Sequence, residues 1–172
     1  MRIPARIMLA LVAGAIAIAI NIGLLNLCDA AGIVTARGGL QRLVRMWLGG
    51  PLTQIGIADL WAAAGMPGPD TAIFRNGFKI SVGLAMAVFY ALLVEPLLAT
   101  GTLVKGLAYA LFAWLINALV VLPLLGEGIA GAKVLTPLGM TCFAAAHTAF
   151  YIVLAYLYDG LVGGAKRRQA TA

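Results

Sequence analysis

Four long apolar runs dominate this sequence. They cover residues 7–27, 78–98, 103–125 and 135–158. An α-helix rises 1.5 Å per residue, so about 20 apolar residues cross a hydrocarbon core of ~30 Å. Each run has about this length. We therefore expect an all-α fold, an integral membrane bundle of four transmembrane helices that forms one domain over residues 1–172.

The composition agrees with a membrane location. Hydrophobic residues make up 63% of the 172 residues and charged residues only 10%, whereas a soluble domain carries ~25% charged residues. The net charge is +6, and most basic residues lie outside the apolar runs, where they orient helices and contact anionic head groups. They form no basic stripe interleaved with aromatic residues, which single-stranded nucleic acids require. We expect membrane lipids as partners, and no nucleic acid.

The first loop contains the segment 38–64, which we predict to lie at the membrane surface. Its residues 40–48 form a short amphipathic helix that Gly49-Gly50-Pro51 is expected to end, and residues 52–64 form a second amphipathic stretch. Arginine and tryptophan beside apolar faces suit the head-group zone. We predict one or two interfacial helices; a re-entrant dip of residues 52–64 is the alternative. The predicted lipid contacts are Arg42, Arg45, Trp47 and Trp61.

Two further features concern the packing and ends of the helices. The first run carries small residues at helical spacing, which lets another membrane helix approach closely; they are Ala10, Ala13, Gly14, Ala17 and Asn21. The short connection around Gly101 makes the second and third helices an antiparallel hairpin. Asp70 or Thr71 is expected to cap the second helix, and residues 164–172 form a polar tail.

Polar side chains inside the apolar runs are the candidate site, because ionisable groups in hydrocarbon are costly. His147 lies near the middle of the fourth run, and Tyr151 lies one helical turn further on the same face. The candidate buried cluster consists of His147, Tyr151, Asn117, Asn21, Tyr90 and Glu95. It is either a polar track across the bilayer or a set of hydrogen bonds between helices worth about 0.6–2 kcal/mol each. We favour the second interpretation, with Glu95 at the membrane boundary in contact with head groups or Lys105.

Familiar catalytic and metal-binding patterns are missing from the sequence. The single histidine and two cysteines do not form a zinc motif, and no glycine-rich phosphate-binding loop follows a strand. Ser81 is the only serine and has no neighbouring base. We expect no catalytic residues, no metal and no cofactor. Glu127 and Lys133, in the loop before the fourth helix, are expected to be solvated.

The second half of the chain resembles a group of small bacterial four-helix membrane proteins of unknown function, the YagU-like type. The resemblance comes from an aromatic-rich third helix, residues 106–117, that leads to Leu122-Pro123-Leu124-Leu125-Gly126. It continues in a fourth helix with the central His147-Thr148-Ala149-Phe150-Tyr151 segment, ending in Tyr158-Asp159-Gly160. The resemblance implies a fold and a membrane compartment, and no activity.

These observations favour a non-catalytic accessory or scaffold protein, with a membrane-protein partner or a second copy of the chain as its associate. One alternative is a small oligomeric transporter or channel for protons or small solutes. Four helices are few for this role, and the sequence suggests no inverted repeat with matching broken helices. Another alternative is an interfacial lipid-modifying enzyme. We expect a multi-pass protein of the bacterial inner membrane, with both termini cytoplasmic because charges flanking the first helix usually dominate orientation.

Overall fold

The fold consists of helices and their connections. The computed structural model describes residues 2–35 and 38–170, with the backbone only at residues 166 and 168–170. Residues 1, 36, 37, 171 and 172, which include the end of the predicted tail, lie outside the described residues. The helices are α1 (Ile3–Ala30), α2 (Gly39–Gln54), α3 (Ile57–Ala63), α4 (Ala72–Leu97), α5 (Thr102–Leu124) and α6 (Pro137–Ala170). A single 3-10 turn, Ile129–Gly131, precedes α6.

Four of these helices are long and apolar enough to cross a membrane. They are α1, α4, α5 and the part of α6 over Pro137–Ala165. This confirms the expected all-helical fold with four candidate spans, and no strand occurs in residues 2–35 or 38–170. The helices run slightly beyond the apolar runs, and the α6 backbone stays helical through residues 164–170 of the polar tail.

Close packing of small residues holds α1 against α4. A methyl group at Gly14 would lie 2.5 Å from the Ala87 Cβ, and one at Gly83 would lie 2.8 Å from the Ile18 side chain. The predicted small-residue face of α1 is buried, with Ala10, Ala13 and Ala17 fully inaccessible. α1 also packs along α6, and α6 packs along α5. The four long helices therefore follow the order α4, α1, α6, α5 around the bundle.

The expected hairpin of α4 and α5 is antiparallel but splayed. Near the connection of residues 98–101, the Tyr109 hydroxyl donates to the Met86 carbonyl at 3.1 Å. The ring of Tyr109 also stacks on those of Phe89 and Tyr90, at centroid distances of 5.8 and 6.0 Å. The contacts between the two helices concentrate at this end, since each packs mainly on α1 or α6 elsewhere. A gap therefore opens between α4 and α5 away from the connection.

Each of these two helices contains one π-helical segment, at Tyr90–Val94 in α4 and Asn117–Val121 in α5. In both, the amide of the residue after the segment donates to a carbonyl five residues earlier: Glu95 to Tyr90 and Leu122 to Asn117. Proline follows directly in each helix, at positions 96 and 123. Proline clashes with the carbonyl four residues before it, so a wider turn at this point relieves the clash.

The two π segments belong to a repeated sequence. Residues 90–101 read YALLVEPLLATG and residues 117–128 read NALVVLPLLGEG, identical at seven positions. Because α4 and α5 are antiparallel, the two copies lie at opposite ends of the bundle. The two helices therefore share one short interrupted segment in opposite orientations. The copies are short and rich in leucine, which hides them among other apolar residues.

Two further expectations concern the first loop and the helix that follows it. Gly49-Gly50-Pro51 does not end α2, which continues to Gln54 and stops before Gly56, where φ is +75°. Proline only removes one donor here, and the Ile55 amide still reaches the Pro51 carbonyl at 3.1 Å. Thr71 caps α4 as expected, accepting a hydrogen bond from the Phe74 amide at 3.2 Å.

Candidate functional site

A cavity of about 470 Å³ lies inside the bundle, at the gap between α4 and α5. All four long helices contribute to its lining, and the start of α2 covers one end. Most of the wall is apolar and aromatic; it includes Ile18, Val82, Met86, Phe89, Phe112 and Phe150. This volume lies within the ~300–1,000 Å³ of sites that take one small organic molecule.

Four polar residues of the cavity, one from each long helix, lie at nearly the same depth. The contacts of Gly14 with Ala87 and of Gly83 with Ile18 set the level of α4 against α1. Continued along both helices, this antiparallel pairing puts Lys79 level with Ile22. The Tyr109–Met86 hydrogen bond likewise puts Asn117 level with Phe78. The hydrogen bond of Asn21 to the Ala146 carbonyl puts His147 next to the level of Asn21. The polar ring defined by these levels consists of Asn21, Lys79, Asn117 and His147, all of which line the cavity.

His147 presents a hydrogen-bond acceptor to the cavity. Its Nδ1 lies 2.8 Å from the Phe143 carbonyl oxygen. A carbonyl can only accept, so Nδ1 carries the hydrogen and, in the neutral ring, Nε2 holds the free lone pair. No hydrogen bond of Nε2 to any of the described residues is present. The ring also contacts Phe143, at a centroid distance of 4.2 Å.

Asn21 and Tyr151 also line the cavity. The Asn21 Nδ2 donates to the Ala146 carbonyl at 2.9 Å, which ties α1 to α6 as expected of a hydrogen bond between helices. The Tyr151 side chain is 5% exposed and packs edge-on against the Tyr109 ring, 4.5 Å away. Within the described part of the chain its hydroxyl has no hydrogen-bond partner, although Tyr151 lines the cavity.

Glu95 lies outside this cavity, near the opposite end of the bundle. Its carboxylate pairs with Arg6 at 2.5 Å and with Lys105 at 3.8 Å, and the Lys105 contact is the one expected. Arg6 also donates to the Ala91 carbonyl and, at 3.3 Å, to the Tyr158 hydroxyl. Pro96 lacks the amide that would continue the π pattern to Ala91, so the Arg6 guanidinium supplies the missing donor.

Tyr90 lies between the two polar groups of residues. Its side chain is fully buried and contacts the rings of Tyr109 and Tyr158. The hydroxyl is buried without a hydrogen-bond partner. The six candidate residues are therefore divided: Asn21, Asn117, His147 and Tyr151 line the cavity, whereas Tyr90 and Glu95 do not.

The predicted interfacial residues have protein partners as well as exposed surface. Arg42 pairs with Glu127, and Arg45 pairs with Asp70. Glu127 is only 8% exposed, so the expectation that it is solvated is wrong: α2 folds over the end of α5 and brings Arg42 to it. Trp61 donates to the Pro67 carbonyl at 2.9 Å, and Trp47 is 58% exposed.

Sequence reasoning missed Lys79 as a cavity residue, because its position near the end of an apolar run favours a side chain that extends to water. It also missed Tyr109. Over residues 2–35 and 38–170, no three His, Cys, Asp or Glu side chains come together as a metal site requires. No family model, curated protein or solved structure matches this chain, so the resemblance to the YagU-like proteins stays a prediction.

Proposed function

We propose that this protein crosses the membrane four times and binds an amphiphilic molecule of the bilayer in the cavity between α4 and α5. In this proposal the protein is a non-catalytic accessory or carrier, a more specific form of the role expected from the sequence. One observation carries the proposal: the Tyr151 hydroxyl and His147 Nε2 lack partners among the described residues, and both residues line an otherwise apolar cavity.

The Tyr151 hydroxyl and the His147 Nε2 lack protein partners in the cavity among the residues that the structure describes, and lipid chains in the cavity could not hydrogen-bond them. These two groups favour a ligand that carries polar atoms. A ligand that hydrogen-bonds Tyr151 and His147 supplies the missing partners. The wall residues Val82, Met86 and Phe112 suit the apolar part of the same ligand.

The membrane setting of the proposal rests on the apolar surface. Large hydrophobic side chains are exposed along all four long helices, among them Met8, Ile73, Leu111 and Leu138, which lipid would cover. We propose that α2 and α3 lie in the head-group zone, because Trp47, Leu60 and Trp61 are exposed there. We keep the bacterial inner membrane and cytoplasmic termini as part of the proposal; reporter fusions at each terminus and at residue 66 test the orientation.

Native mass spectrometry of the full chain, purified in mild detergent, tests the binding function. We expect the wild type to retain one amphiphile per chain. Ala113→Trp places a large side chain on the cavity wall and should abolish retention. Ala108→Trp is the matched control, because Ala108 lies on the same helix, is exposed and does not line the cavity.

Retention that is equal in wild type and Ala113→Trp would contradict the proposal, since the retained molecule would then bind elsewhere. Absence of any retained amphiphile, with no binding of added single-chain amphiphiles, would also contradict it. A thermal unfolding measurement on both variants shows whether each is folded before the comparison is made.

Transport is the second candidate function, and the inverted pair of π segments favours it. Interrupted helices in inverted repeats mark the sites of many transporters, and here α4 and α5 form the two sides of the cavity. A route for protons or solutes would have to pass the buried rings of Tyr90 and Tyr109. Flux into proteoliposomes tests this candidate: equal background leak for wild type and His147→Ala excludes transport through that residue.

A further inference from the structure

Lys79 differs from the other cations that lie along the long helices. Arg6 and Lys105 both pair with Glu95. Lys79 lines the cavity and makes no ion pair with any of the residues that the structure describes. An ammonium group next to apolar walls is costly unless an anion compensates it. The cavity therefore has one uncompensated positive charge at the level of the polar ring.

The acidic residue of the cavity lining, Asp29, lies at a different depth. The pairing of α1 with α4 puts Lys79 level with Ile22, so Asp29 is seven residues further along α1. At 1.5 Å per residue this is about 10 Å along the helix axis. Asn117, in contrast, is level with Phe78, next to Lys79 in the sequence of α4, and lines the same cavity as Lys79.

The depth of the ring also orients a ligand. The apolar residues Val82, Met86 and Phe89 follow Lys79 along α4 toward the connection with α5, and all line the cavity. A head group at the ring would therefore continue into a chain that lies along this wall. A cavity of about 470 Å³ has room for one chain rather than for a whole two-chain phospholipid.

We infer that the ligand is a single-chain amphiphile with an anionic head group, bound by the Lys79 ammonium and the Asn117 amide. The head group is a carboxylate or a phosphate monoester, since both offer several oxygen acceptors. The Tyr151 hydroxyl can donate to a further oxygen of the same head group, whereas His147 Nε2, an acceptor, can bind only a ligand hydroxyl such as that of a singly protonated phosphate. This inference rests on the proposed function and adds the chemical class of the ligand.

Quenching of Trp114 fluorescence tests the inference, because Trp114 lines the cavity. The chain has three tryptophans, so Trp47→Phe with Trp61→Phe leaves only this one. The protein is placed in nanodiscs of zwitterionic lipid. Four probes with the same brominated chain are then added separately: a fatty alcohol, a fatty acid, a chain phosphate monoester and a fatty amine.

We expect the acid or the phosphate to quench Trp114 at about one-tenth of the alcohol concentration, the effect of one charge-assisted hydrogen bond. Whichever of the two is stronger identifies the head group. Lys79→Gln should remove this advantage, so that the acid and the phosphate quench no better than the alcohol. Lys133→Gln is the control, because Lys133 is an exposed loop residue, and it should keep the full advantage.

The outcomes separate the two proposals. If no probe quenches Trp114, the proposed binding function fails, and this inference fails with it. If the alcohol quenches and the anionic probes have no advantage, or the amine is the strongest, only the anionic head group is excluded. An advantage that survives Lys79→Gln would also overturn the role of Lys79.

Discussion

Single residues at helix contacts show how this bundle holds together with few charges. Asn21 joins α1 to α6 through its 2.9 Å hydrogen bond to the Ala146 carbonyl, and its side chain is only 5% exposed. Hydrogen bonds of this type in membrane proteins contribute about 0.6–2 kcal/mol. The bond also keeps Asn21 at the edge of the cavity, so one side chain serves both packing and the polar ring.

Replacement of Asn21 measures this contribution. We expect Asn21→Ala to lower the free energy of unfolding by about 0.6–2 kcal/mol, because the Ala146 carbonyl loses its side-chain donor. Asn26→Ala is the control, since Asn26 lies on the same helix and is exposed. Unfolding of both variants in mixed detergent and SDS micelles gives the comparison, and equal stability of the two would contradict the role of Asn21.

Glycine at the α1–α4 contact supports a second prediction. A Cβ atom at Gly14 would lie 2.5 Å from Ala87, whereas one at Gly23 meets no atom within 4 Å. Gly14→Val should therefore force α1 and α4 apart and cost about 1–3 kcal/mol of stability. Gly23→Val should cost much less. Thermal unfolding that shifts equally in both variants would contradict the close approach of the helices.

Among the four long helices, α4 and α5 are distinguished by their π segments. Each segment precedes a proline, and in α4 the carbonyl that loses its donor is bonded by Arg6 of α1. Arg6 therefore links the start of α1 to the interrupted part of α4, together with Glu95. The copy in α5 has Leu122 where α4 has Glu95, so the two ends of the bundle are built from one sequence pattern with different polar partners.

A double-mutant cycle tests this link. Pro96→Ala returns an amide that can compete for the carbonyls of the π segment, so Arg6→Gln should destabilise the Pro96→Ala protein less than the wild type. We expect a coupling energy of about 0.5–3 kcal/mol, the range for residues in one hydrogen-bond network. The same cycle with Pro123→Ala, at the other end of the bundle, should be additive. Additive behaviour of both cycles would contradict the role of Arg6.

At the scale of the whole molecule, hydrophobicity along the sequence predicts the four long helices, because each must be apolar over about 20 residues to cross a bilayer. The small-residue face of α1 and the Glu95–Lys105 contact could also be predicted, since helical spacing and a short connection determine them. The cavity could not. It forms because α4 packs mainly on α1 and α5 packs mainly on α6. Close contacts at Gly14 and Gly83 bring α1 and α4 together, and those at Gly106 bring α5 and α6 together. A single sequence does not show which helices meet at these glycines.

For the same reason, only part of the polar ring could be predicted from the sequence. The positions of Asn21, Asn117 and His147 well inside their apolar runs make all three candidates for one buried cluster. For Lys79, a position near the end of an apolar run favours the membrane boundary, and only the pairing of α4 with α1 puts it level with Asn21. Glu95 belongs to the candidate cluster because it lies in the second apolar run. In the structure, its ion pairs with Arg6 and Lys105 place it at the other end of the bundle.

The binding cavity depends on the gap between α4 and α5, and pulsed electron paramagnetic resonance can measure the distance between these helices. In a variant without Cys28 and Cys142, one pair of nitroxide labels at Val82 and Ile116 spans the mouth of the gap. A second pair at Leu93 and Val104 lies near the connection. We predict a clearly longer distance for the first pair than for the second in lipid nanodiscs. Equal distances would show a closely packed hairpin, and would contradict the cavity and the binding function built on it.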